Sequence, residues 1–218
     1  MKKNSLLNSS LFISIEGGEG SGKTLLANKM ESFFLERGKK VIKTREPGGT
    51  SLGEYLRPLL LDPEKFLEND DRLSLVSELF LFLALRAQHL KEVIIPYLQK
   101  GYYVICERYH DSTIVYQGYA LGLGIDYVYK ACCLCVPYIE PFKTFLLDID
   151  PKIGLQRKKK QKELDKFEKK EFLFHQKIRE GFLLIAKLFS HRICVEDASL
   201  PLNEVWSSIE TKLNKYDI

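Results

Sequence analysis

Gly17-Gly18-Glu19-Gly20-Ser21-Gly22-Lys23-Thr24 is the stretch from which the fold can be read. It fits the G-x-x-x-x-G-K-[ST] phosphate-loop pattern in full, and its flanks supply the context that pattern needs. Leu11-Phe12-Ile13-Ser14-Ile15 reads as a buried strand entering the loop. Thr24–Arg37 then repeats Leu25, Leu26, Met30, Phe33 and Phe34 at helical spacing. The glycines let successive backbone N–H groups converge on an anion with no Cβ in the way. The helix N-terminus behind them favours negative charge. Lys23 is expected to reach the β- and γ-phosphates and the Thr24 hydroxyl to hold Mg²⁺. All eight residues, Gly17, Gly18, Glu19, Gly20, Ser21, Gly22, Lys23 and Thr24, are therefore assigned to a nucleoside triphosphate site.

Outward from the loop, strands and helices alternate. Further strands are expected at Lys40–Thr44, Tyr102–Cys106, Phe145–Ile149 and Arg192–Val195, and helices at Gly53–Leu61, His110–Tyr119, Tyr127–Val136, Glu171–Phe189 and Leu202–Leu213. A long helix over Arg72–Gln99 should bend near Pro96. Thr50 or Ser51 is a candidate cap, and Asp150-Pro151 reads as an N-cap followed by Pro at the first helical position. This alternation predicts a three-layer α/β phosphate-loop NTPase fold with a five-stranded parallel sheet. In such sheets the site lies at the carboxyl ends of the strands. Gly17–Thr24, Arg45–Gly49 and Glu107–Tyr109 all fall there. One domain over residues 1–218 is expected, with residues 1–10 as an N-terminal extension and a small basic lid at about 152–172.

Composition narrows the classes. Hydrophobic residues make up 45% of the chain, enough for an ordinary core, and no apolar run approaches the ~20 residues that span a bilayer. Five scattered cysteines suggest a reducing compartment. Cys132 and Cys135 form a C-x-x-C with no second pair at zinc spacing. A cytoplasmic protein with no membrane partner is expected. The net charge of +4 is concentrated in residues 157–170, which carry eight basic and three acidic residues; elsewhere the two nearly balance. One compact basic segment favours a small anion over nucleic acid, so no nucleic-acid partner is expected.

Arg45, Arg57 and Arg108 stand at or near strand ends, where a second anion beside the triphosphate would need neutralising. Phe82 and Arg86 share a helical face, so an aromatic ring that can stack on a base lies beside a guanidinium that can donate to it.

Together, Gly17–Thr24, Arg45-Glu46-Pro47-Gly48-Gly49, Phe82-x-x-x-Arg86, Glu107-Arg108-Tyr109-x-x-Ser112 with Tyr116-Gln117, and Asp150-Pro151 leading to the basic segment make a chain that resembles the bacterial thymidylate kinases from Phe12 to the last helix. The resemblance implies transfer of the γ-phosphoryl of ATP to dTMP with Mg²⁺, by a homodimer. It implies that Arg57 and Arg108 hold the dTMP phosphate in a pocket shaped by Arg45 and Glu46. Phe82 would stack on thymine and Arg86 bond its O4, with Thr113 and Gln117 against the base. Tyr116 would crowd the sugar 2′ position, and Glu19 would meet a sugar hydroxyl. Lys23, Arg108 and a lid cation would be catalytic. Two positions depart from the family. Glu107 replaces the usual aspartate and is taken, with Thr24, as a metal-site residue, Asp148 being its rival. The lid reads Arg157-Lys158-Lys159-Lys160-Gln161-Lys162, with lysines replacing all but one arginine, so Arg157 is the first choice for the catalytic lid cation and Lys159 the second. Alternatives are a kinase for another nucleotide, a GTPase-type switch using the N-K-x-D at Asn214–Asp217, and nucleic-acid binding through residues 157–170.

Overall fold

The computed structural model describes residues 9–67, 73–135, 138–159, 166–168 and 170–216. Five strands form one parallel sheet: β1 Phe12–Gly17, β2 Val41–Arg45, β3 Tyr103–Glu107, β4 Lys143–Asp148 and β5 Ile193–Asp197, in the order β2-β3-β1-β4-β5. β1 lies at the centre and all six of its residues are buried. A parallel strand covered on both faces tends to read as a continuous apolar run; β1 departs from this at Ser14 and Glu16, both fully buried on the face that Phe12 shares. Ile13, Ile15, Ile105, Phe145 and Leu147 pack on α1 (Lys23–Glu36) and α9 (Leu202–Lys215), against Leu26, Met30, Phe34, Trp206 and Ile209. Phe12, Val104, Cys106 and Leu146 face the other way, onto Leu79, Leu83, Ile114, Val128, Ile178 and Phe182.

That second layer comes from α2 (Ser51–Leu61), α3 (Leu75–His89), α4 (Ile95–Gln99), α5 (His110–Thr113), α6 (Ile125–Cys132), α7 (Pro151–Lys159) and α8 (Phe172–Leu188), which complete the helices. Thr50 caps α2 by accepting from Gly53 N at 2.9 Å. Asp150 caps α7 by accepting from Lys152 N at 2.8 Å. The long helix expected over Arg72–Gln99 differs in two respects. Arg72 lies outside the described residues, and the helix begins at Leu75, where Ser74 accepts from Ser77 N at 3.1 Å. It also widens into a π-helical turn over Leu90–Ile94, just before Pro96. Proline has no N–H for the helical ladder and crowds the carbonyl four residues back, and the wider turn relieves both. A second π-helical stretch, Ile114–Ala120, continues α5 and carries Tyr116 and Gln117. Val136 and most of residues 157–170 beyond Lys159 fall outside the described residues.

The register brings the loop ends together. Ile15 pairs with Glu107, Arg45 with Glu107, and Gly17 with Leu147. Gly17, Arg45, Glu107 and Asp148 therefore share one edge of the sheet.

Candidate active site

The phosphate loop spans the gap between β1 and α1. Gly17, Gly20 and Gly22 have φ of 144°, 68° and 94°, values that L side chains rarely adopt. Gly20 has a second reason to be glycine, because a Cβ there would sit 1.9 Å from the Gly154 carbonyl oxygen at the start of α7. Gly22 occupies the α1 cap position and offers no side chain, so the first N–H groups of that helix are left for an anion. The Lys23 ammonium folds back onto the carbonyls of Gly17 (3.1 Å) and Gly18 (2.8 Å). Burial, helped by the neighbouring Arg108, pulls its pKa down to about 8. Thr24 donates to Glu107 Oε2 at 2.8 Å. Glutamate in place of aspartate therefore still meets the loop hydroxyl, and the pair presents the hard oxygen donors that suit Mg²⁺. The rival Asp148 is taken by Arg179, which grips both its oxygens at 2.7 and 2.8 Å.

Arg108 stands at the turn from β3 into α5 with φ of +61°, a costly conformation for a residue with a Cβ. The turn is held by Arg108 N on Ile15 O at 2.9 Å and by Tyr109 N on Glu16 Oε1 at 2.7 Å. Its guanidinium reaches the Gly17 carbonyl (3.2 Å), Ser112 Oγ (3.1 Å) and Glu19 Oε1, and lies 5.2 Å from the centre of the Tyr116 ring. Tyr116 also donates to Glu19, at 2.8 Å. Burial works against a charged Glu19, but Arg108, Lys23 and the Tyr116 hydroxyl outweigh it and bring the carboxyl down to about 2. Glu16 lies behind this cluster and accepts from Ser112 Oγ at 2.6 Å. Burial, reinforced by Asp111, raises it to about 7.

On α3, Arg86 is buried and binds Glu46 through Nε (2.8 Å) and Nη2 (2.7 Å), and Thr113 through Nη2 (2.8 Å). Glu46 also takes His89 Nδ1 at 3.0 Å, while His89 Nε2 lies 2.6 Å from Thr44 Oγ1. Burial opposes ionisation of Glu46, yet Arg86 and His89 hold it below the usual carboxylate range. Glu46 thus fixes Arg86 in place. Arg45 pairs with Glu54 at 3.0 Å, and Arg57 donates to the Pro47 carbonyl. Gln117 donates to Glu78 at 2.8 Å.

Arg45, Glu46, Arg57, Phe82, Arg86, Arg108, Thr113, Tyr116 and Gln117 line a single cleft with the phosphate loop, of about 910 Å³. Arg157 lines it too, but its guanidinium is engaged by the carbonyls of Ala198 (3.0 Å) and Ser199 (3.5 Å), after β5. Lys158 lies close enough to help depress Glu19, and it pairs with Glu168 at 3.0 Å. The Lys159 side chain lies outside the described residues. Cys135 donates to the Leu83 carbonyl at 3.4 Å.

A thymidylate kinase family model matches residues 15–209. The chain belongs to the thymidylate kinase family. It is 53% identical over 191 residues to a thymidylate kinase of Chlamydia pneumoniae, covering 86% of this chain and 90% of that one. Against a thymidylate kinase of a Geobacillus species the identity is 46% over 198 residues, covering 90% and 92%. The crystal structure of a thymidylate kinase from Ehrlichia chaffeensis superposes with a TM-score of 0.70 at 33% identity, covering 93% of this chain and 97% of that one. The phosphate-loop fold is that of the family, and the chain is a nucleoside-monophosphate kinase rather than a GTPase switch. The Asn214-Lys215 of the guanine-type motif merely closes α9, and Asp217 lies outside the described residues.

The family reading leaves four site groups unannounced by motif: Glu16, Glu78, His89 and Asp111. Of these, Glu78 and His89 carried a usable signal. Glu78, Phe82, Arg86 and His89 follow one another at intervals of four, four and three on a helix whose other stripe is apolar, so polar groups recur at core spacing.

Proposed function

We propose that the two halves of this cleft hold the two nucleotides of a thymidylate kinase, with their phosphates meeting above Gly17–Thr24. ATP takes the loop, its adenine against the apolar wall of Leu25, Leu200, Pro201, Leu202 and Val205. The dTMP takes the half lined by Phe82, Arg86, Thr113 and Gln117, its phosphate toward Arg45, Arg57 and Arg108. The observation that carries this reading is the position of Arg108, whose guanidinium reaches the Gly17 carbonyl of the loop and, beyond the loop, Ser112 and the Tyr116 ring.

The acceptor phosphate is already ionised, so the reaction needs little base chemistry and rests on alignment and charge. Lys23 leaves its loop carbonyls for the β- and γ-phosphates. Arg108 bridges donor and acceptor charge, and the lid adds a cation, with Arg157 and Lys158 both on the cleft wall. Thr24 and Glu107 would hold Mg²⁺, which when bound would supply positive charge to offset that of the transferring phosphates. Tyr116, anchored on Glu19 at 2.8 Å, would crowd a 2′-hydroxyl and so favour deoxyribose. The remaining assignments are a cytoplasmic location and a homodimer formed through the exposed apolar residues of α3 and its surroundings, Val76, Phe80, Tyr127 and Leu134.

Phe82→Ala separates the halves. Loss of a stacking ring is expected to raise KM for dTMP about ten- to a hundredfold, with KM for ATP within about twofold. Steady-state kinetics with each substrate varied in turn measure this. An unchanged KM for dTMP in a folded variant would place the base elsewhere.

A further inference from the structure

One buried carboxylate behind the acceptor half has no part in phosphoryl transfer. Glu78 lies in the first turn of α3 and is 5% exposed. Its two oxygens are divided between two partners. Gln117 Nε2 donates to Oε1 at 2.8 Å, and the Lys166 ammonium donates to Oε2. Lys166 comes from beyond α7 and is itself fixed there, its backbone N–H donating to the Leu61 carbonyl at 2.9 Å. The next residue, Phe167, packs edge-on against Tyr116 at 5.3 Å.

A carboxylate only accepts, whereas an amide has one donor end and one acceptor end. Glu78 can therefore take only the NH₂ end of Gln117; one of its two N–H groups is spent there, and the carbonyl oxygen is the acceptor that the amide keeps for the cleft that Gln117 lines. We propose that Glu78, held in place by Lys166, sets the base selectivity of the acceptor pocket by fixing the orientation of the Gln117 amide. This rests on the assignment of that pocket to the acceptor base. A base with a ring N–H beside a carbonyl, as in thymine and uracil, meets the Gln117 oxygen with a donor and the Arg86 guanidinium with an acceptor. Cytosine inverts both groups, offering a bare ring nitrogen and an amino group, and meets like with like twice. Were the amide free to turn over, its NH₂ would serve the cytosine ring nitrogen, and one of the two mismatches would vanish. Glu78 is thus a positioning residue that acts through Gln117.

Glu78→Gln tests this, because a glutamine offers Gln117 either a donor or an acceptor and so releases the lock. The measurement is kcat/KM for dTMP and for dCMP in the wild type, Glu78→Gln, Lys166→Met and Gln117→Leu. The ratio of dTMP to dCMP is expected to fall about tenfold or more in Glu78→Gln, with KM for ATP unchanged. Lys166→Met should move the ratio in the same direction by a smaller factor, and it decides the matter if Glu78→Gln does not fold. A purely structural carboxylate would depress both substrates alike and leave the ratio alone. An unchanged ratio in the folded Glu78 and Lys166 variants, with dTMP turnover impaired in Gln117→Leu, overturns the proposal and leaves the pocket standing. Wild-type dTMP kinetics in Gln117→Leu overturn the proposal together with the pocket assignment.

Discussion

Lys23→Ala is expected to lower kcat by about a thousandfold or more while the protein keeps its fold. Removing a single preorganised donor from a developing charge costs about 10²–10³ in rate, and in the proposed role Lys23 would do more than a neutral donor, because it would bring a full cation to the phosphates being separated. The ammonium sits among the loop carbonyls of Gly17 and Gly18, close to both Glu19 and Arg108. Its removal leaves those carbonyls facing an open cleft, where water can replace it, so the thermal midpoint should barely move. ADP release under saturating ATP and dTMP measures the rate, and thermal unfolding checks the fold. A variant with more than about a tenth of wild-type turnover would mean that the loop is not where phosphoryl transfer occurs.

Asp111→Ala should act in the opposite manner, on stability. Asp111 is fully buried and receives Arg192 in a two-pronged grip, with both contacts at 2.7 Å. The same guanidinium lies 3.0 Å from Thr144 Oγ1 and 3.1 Å from His110 Nε2, and Thr144 continues to Ser14 at 2.7 Å. This network ties α5, which follows directly from the Arg108 turn, to β1, β4 and the start of β5. Truncating the carboxylate leaves the buried Arg192 charge with Glu140, at 3.6 Å, as its remaining carboxylate partner, and loss of the two-pronged pair costs about 3–5 kcal/mol. For a domain of this size that corresponds to a fall in Tm of about 10 °C. Calorimetry or thermal circular dichroism gives the shift. A change of less than about 2 °C would show that the pair contributes nothing net to the fold.

The sequence reading and the structure agree where the signal is local and periodic. The loop, its strand and its helix lie within one short stretch, and the five strands are apolar runs between helical patterns. Arg45, Arg108 and Gly17 read as strand-end residues without any register, because each stands just after a strand-like run and a parallel sheet puts its loops there. Long-range polar pairing was not legible. Glu46 reads as a residue of the substrate pocket, yet it works by holding Arg86, 40 residues away, and His89. Asp111 finds Arg192 81 residues on, and no spacing rule links them. The π-helical turn over Leu90–Ile94 leaves no mark in the sequence for a different reason. Five residues are too few for an apolar stripe to distinguish a wide turn from an ordinary one. Arg157 stands out in the sequence as the lone lid arginine, by residue type alone. Its engagement with Ala198 and Ser199 depends on a loop beyond β5 that the lid sequence does not mention.

The most direct test of the whole account is ADP production from ATP and Mg²⁺ with dTMP, dUMP, dCMP, dGMP and UMP offered separately. The account predicts strong turnover with dTMP and weaker turnover with dUMP, since one methyl group in a pocket changes the selectivity by only about 10–200-fold. It predicts none with UMP, whose 2′-hydroxyl meets Tyr116. Turnover with dCMP or dGMP in preference to dTMP would contradict the reading of the pocket around Phe82, Arg86 and Gln117.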